Sequence, residues 1–169
     1  MLGVGDFLPV GEELAAALGD GVARAAVTVP GHDGAIACDL LLVRASDAGA
    51  GKLALVLAVR EERTDLGAGL VRGLWYDAPV EVRACLGDGT SWLVVARVWR
   101  CCIAGRLFSD VLGRERTAGT EDVASAWELR VLGARRVEGS DVPAAVEPSR
   151  APREELHLDV LARRGGLSG

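Results

Sequence analysis

Six consecutive polar residues, Arg60-Glu61-Glu62-Arg63-Thr64-Asp65, close a nearly uniform apolar run, Leu53-Ala54-Leu55-Val56-Leu57-Ala58-Val59. Two arginines supply forked N–H donors and Thr64 adds a hydroxyl, a set suited to a phosphate group. Residues 66–73 read as a short helix, whose first backbone amides would reinforce the same site. The competing reading is a solvated loop in which Glu61 and Glu62 pair with the arginines.

A planar ring bound beside that phosphate needs an apolar wall and hydrogen-bonding edges. In the strand-like segment 91–103, Arg97 and Trp99 share one face and Trp92 takes the other. For each tryptophan taken singly, ordinary core or subunit packing is the stronger reading. Asp39 sits inside an otherwise apolar strand, where a buried carboxylate needs a partner such as an arginine.

Other patterns carry less. Ala48-Gly49-Ala50-Gly51-Lys52 lacks the Ser/Thr of a phosphate loop and precedes a strand. The glycines of residues 67–73 have the wrong spacing for a dinucleotide fingerprint and stand too far from the strand. His32 lies in a turn and His157 near the end of the chain, without clustered metal ligands. No G-x-S-x-G occurs, which removes the usual hydrolase elbow. The four cysteines form no C-x-x-C pair and read as free, buried thiols.

Strands are expected over residues 23–29, 35–43, 52–59, 80–86, 91–103 and 127–137. Leu74-Trp75-Tyr76-Asp77-Ala78-Pro79-Val80 is expected to open the fourth. Short helices are expected at 11–18, 66–73 and 104–114, and a polar connector at 117–125. Tight turns at 30–34 and 87–90 require antiparallel hairpins and exclude a doubly wound parallel sheet. These elements predict a mainly β fold: a six-stranded antiparallel barrel with a few short helices. Residues 1–138 form that domain; 139–169 read as an extended linker and a terminal helix packing on it.

The chain of 169 residues is long enough for one domain with a sizeable core. A net charge of −5 disfavours nucleic acid as a partner. No apolar run has the length to cross a bilayer, and residues 1–10 carry Asp6 but no basic residue. No membrane partner and a cytoplasmic location are therefore expected.

The order helix, hairpin, buried strand, Arg/Thr loop, LWYDAPV and hairpin resembles the pyridoxamine 5′-phosphate oxidase-like FMN-binding split-barrel family. Arg100-Cys101-Cys102-Ile103-Ala104-Gly105-Arg106-Leu107-Phe108 is similar to a strand-to-helix junction of some members, and His157-Leu158-Asp159 to their closing segment. The resemblance implies a split barrel of Greek-key character and a homodimer with FMN at its interface. It places the FMN phosphate at Arg60, Arg63 and Thr64. Arg97 and Trp99 are the candidates for the ring. Many members carry an Asn shortly after the Ser/Thr; here Asp65 follows and no Asn precedes the next strand. The implied function is a flavin-dependent oxidoreductase of unknown substrate. The alternatives are a flavin-free split-barrel binding or structural dimer module and, more weakly, a haem protein using His32 or His157.

Overall fold

A computed structural model describes residues 12–19, 22–45, 53–60, 64–119 and 123–137. In chain order they form α1 (Glu12–Gly19), β1 (Val22–Thr28), β2 (Ile36–Ala45), β3 (Leu53–Arg60), α2 (Thr64–Trp75), β4 (Pro79–Leu86), β5 (Ser91–Cys102), α3 (Arg106–Thr117) and β6 (Val123–Val137). All strand pairs are antiparallel, in the ring order β1-β2-β3-β6-β5-β4, with β1 also paired to β4. The six-stranded antiparallel barrel is thus present. Its Greek-key character comes from the β3-to-β4 passage, which crosses one end of the barrel through α2.

Alternation explains the interior. Val27, Leu55, Leu57, Val82, Val94 and Leu129 point inward and are fully buried together. Leu14 and Leu18 of α1 join this cluster, as do Leu66 and Leu70 of α2. β3 is buried on both faces because α3 lays Leu107 and Val111 over Val56, Ala58 and Ala126. That second layer also starts β6 at Val123, inside the expected polar connector: Val123 packs beneath α3.

Two connections bear on function. In the β4–β5 hairpin, Leu86 N–H donates to the Thr90 carbonyl at 2.8 Å, and Thr90 N–H donates to Asp88 Oδ1 at 2.8 Å. Leu74 and Trp75 do not open β4 as expected; they complete α2, and β4 starts at Pro79. Ala78 N–H donates to the Gly73 carbonyl at 3.0 Å, and Asp77 takes a left-handed φ of 50°. This six-to-one bond with a left-handed residue is a common helix stop, and Asp tolerates the conformation better than most residues.

No described helix is long and apolar enough to cross a membrane. The glycine-rich segment 48–52 lies outside the described residues, as do the expected linker and terminal helix at 139–169.

Candidate functional site

Arg60 ends β3 opposite Val123 of β6. Its Nη2 lies 3.9 Å from Oε2 of Glu115, a buried acid on α3. The sequence offered Glu61 and Glu62 as partners; α3 supplies one from fifty-five positions downstream. Thr64 is the first residue of α2, not part of a loop, and is exposed. The first turn of a twelve-residue helix therefore begins four positions after a strand-end guanidinium. That end of the helix favours anions. Asp65 already uses part of this preference, because its Oδ1 accepts the Leu66 N–H at 2.8 Å. Arg63 lies outside the described residues.

Arg97 and Trp99 both emerge on the outer face of β5, whereas Trp92 is buried in the barrel core. Trp92 is therefore a packing residue and cannot wall an external ring. Arg97 Nη1 donates to Asp77 Oδ2 at 2.8 Å, tying the stop of α2 to the middle of β5. The Arg130 guanidinium lies over the Trp99 ring, 2.9 Å from its centroid. The ladder is irregular here: it shifts between Val95 and Ala96 and again between Val98 and Arg100. The second shift places Arg100 opposite Glu128, and Arg97 stays opposite Arg130.

The expected site residues do not converge on one cradle. Arg60 faces Val123 and Arg97 faces Arg130. These partners are seven residues apart on β6 (130 − 123), about 23 Å at ~3.3 Å per residue. A ligand touching both must extend along the sheet.

Along β6, Glu128 and Arg130 alternate with the core residues Trp127 and Leu129, so both side chains leave the barrel interior. Glu128 is fully buried, and Arg100 Nε and Nη2 each reach its Oε2 at 2.8 Å. The stacking of Arg130 on Trp99 joins two strands and has no local signal in the sequence. Asp39 stands opposite Ala58 in the β2–β3 ladder; its side chain lies outside the described residues.

The remaining candidates are quiet. His32 is exposed in the β1–β2 turn, and His157 lies outside the described residues. No group of three potential metal ligands occurs among the described residues. None of the four cysteines forms a disulfide, but only Cys85 is buried as expected; Cys38 and Cys102 are intermediate and Cys101 is exposed. Partial burial, then the adjacent Cys102 thiol, push the Cys101 thiol above its ordinary value. It stays protonated at neutral pH and is a poor nucleophile. Gly69 and Gly73, part of the fingerprint-like glycine run, serve close packing of α2 against Val29 and Val98.

No family model and no curated protein matches the chain. Among solved structures it is similar to an FMN-binding protein from Syntrophomonas wolfei subsp. wolfei, with a TM-score of 0.55 and 12 % identity. That match covers 76 % of this chain and 88 % of the other. A tagged variant of HupZ from Group A Streptococcus aligns with a TM-score of 0.49 and 8 % identity, over 76 % of this chain and 100 % of the other. The first likeness is one of fold: the same barrel, built from a largely different sequence.

Proposed function

We propose that this protein binds FMN and acts as a flavin-dependent oxidoreductase. The phosphate sits at the Arg60, Arg63 and Thr64 end of the barrel; Arg97 and Trp99, about 23 Å along β6, serve the ring of the flavin held by the other copy of a homodimer. The observation that carries the reading is the start of α2 at Thr64, four positions after Arg60 at the end of the third strand. A helix N-terminus, a hydroxyl and strand-end guanidinium donors fit a phosphate bearing about two negative charges. The flavin supplies the hydride or electron transfer; the protein binds, orients and shields it. Arg60 and Thr64 hold charge, and the indole of Trp99 offers an apolar surface.

Purified protein is expected to be yellow, or to become so with added FMN. Arg63→Ala and Thr64→Ala are each expected to weaken FMN retention about ten-fold, the scale of one charge-assisted hydrogen bond. A colourless protein that takes up no FMN, measured by absorbance after gel filtration, sinks the reading. Unchanged retention in both variants moves the phosphate elsewhere.

The second reading keeps the barrel without flavin, as a binding or structural dimer module. Glu115 beside Arg60 and Asp65 on the first turn of α2 favour it, since both place negative charge where the phosphate would go.

Homodimer formation belongs to both readings. Val71, Leu74, Trp75 and Tyr76 at the end of α2 are exposed, as are Trp99 and Ile103 on and after β5. The Asp77–Arg97 ion pair and the packing of Gly73 by Val98 hold α2's end against β5. Aromatic residues exposed together at one place suit a subunit contact. Trp75→Ser with Tyr76→Ser is expected to give a monomer by light scattering where the parent protein is a dimer. An unchanged mass would place the contact elsewhere.

A further inference from the structure

Arg97 and Arg130 stand directly opposite each other on neighbouring strands, on the same outer face. Like charges so placed oppose each other, and the arrangement persists only with compensation. Arg97 has one partner, Asp77, which is itself mostly exposed. Arg130 pairs with no carboxylate among the described residues. Its Nε is buried and donates to nothing among the described residues. What Arg130 has is the Trp99 ring beneath its plane. Stacking fixes a guanidinium's orientation and uses none of its N–H donors, which all point outward in the plane. Beside it, Arg97 commits one donor to Asp77. The bulge at Val98/Arg100 makes this possible by turning Trp99 under Arg130 and giving Arg100 to Glu128.

We propose that Arg97 and Arg130 form a two-guanidinium clamp for an oxyanion, a carboxylate or phosphate group carried by a small ligand. The anion bridges the opposed charges and accepts N–H groups from the terminal nitrogens of Arg130, the buried Nε staying out of its reach. Trp99 pre-orients Arg130, so less side-chain freedom is lost on binding. Tyr76 and Trp75, exposed beside Asp77, border the clamp on the α2 side. Arg97 and Trp99 are the residues assigned to the flavin ring, so an anion in the clamp and a ring at that place exclude each other; the Arg60 end, about 23 Å along β6, is separate from the clamp.

Titration calorimetry with inorganic phosphate and with benzoate, at constant ionic strength set by sodium chloride, tests this. Saturable binding of at least one anion is expected, and the tighter of the two names the ligand's anionic group. Arg130→Gln and Arg97→Gln, each checked for native circular dichroism, are expected to weaken it about ten-fold or more, the loss of a charge-assisted hydrogen bond. Arg106→Gln, at an exposed arginine of α3, is expected to leave it unchanged. No saturable binding of either anion overturns the proposal. So does binding that survives both the Arg97 and the Arg130 variant, and binding weakened as much by Arg106→Gln.

Discussion

Arg100→Met is expected to destabilise the protein by about 3 kcal/mol, whereas Glu128→Gln should cost nearer ~1 kcal/mol. The asymmetry follows from where each charge is left. Glu128 is fully buried, so losing Arg100 removes two 2.8 Å donors from a carboxylate that water cannot reach. The Arg100 side chain is 41 % exposed, so without Glu128 it can turn outward and hydrate. Replacing both, as Arg100→Met with Glu128→Leu, is expected to restore most of the loss, because a packed apolar pair avoids desolvating charge. Urea unfolding with unchanged slopes measures this. Equal losses in the two single variants would show that the burial of Glu128 does not set the energetics.

The second large effect concerns α2. A Cβ built on Gly69 would come within 2.6 Å of Val29 Cβ, as well as overlapping Val29 Cγ2. Val29 Cβ is fixed to the backbone just after β1, so the clash cannot be relieved by rotating a side chain. Gly69→Ala therefore sets a helix-propensity gain of about 1 kcal/mol against overpacking of ~1–3 kcal/mol, at the upper end here. A net loss of about 2 kcal/mol is expected. For a protein of this size it appears as a fall in Tm of about 4–8 °C. Val29→Ala combined with Gly69→Ala should recover only part of it, since Ala keeps the Cβ that clashes. A Gly69→Ala protein more stable than its parent would mean that α2 does not press on β1 in solution.

Sequence patterning made the barrel legible because hairpin turns and alternation are local signals. The turns at 30–34 and 87–90 and the apolar run of β3 place strands without knowledge of their neighbours. The start of β6 at Val123 was hidden, since only α3 packing makes that polar stretch a strand. The end of α2 was hidden as well: Leu74 and Trp75 look like strand residues until Asp77 is seen to stop a helix. At the candidate site, Arg60, Thr64, Arg97 and Trp99 were visible as residue types, but their partners were not. Glu115, Asp77, Glu128 and Arg130 each come from another element. Two of the pairings depend on a bulge whose position no local pattern marks. Arg63, the remaining candidate, lies outside the described residues.

Every strand of the ring has a neighbour on both sides, but the ladders do not run the full length of each strand. β2 pairs with β1 only at residues 36–38, whereas its ladder with β3 runs from Asp39 to Ala45. β5 pairs with β4 only as far as Arg97 and continues to Cys102 against β6 alone. Among the described strands, these one-sided stretches are where a visiting strand could extend the sheet. The second of them carries Trp99, so a chain added there would meet an indole as well as a row of backbone groups.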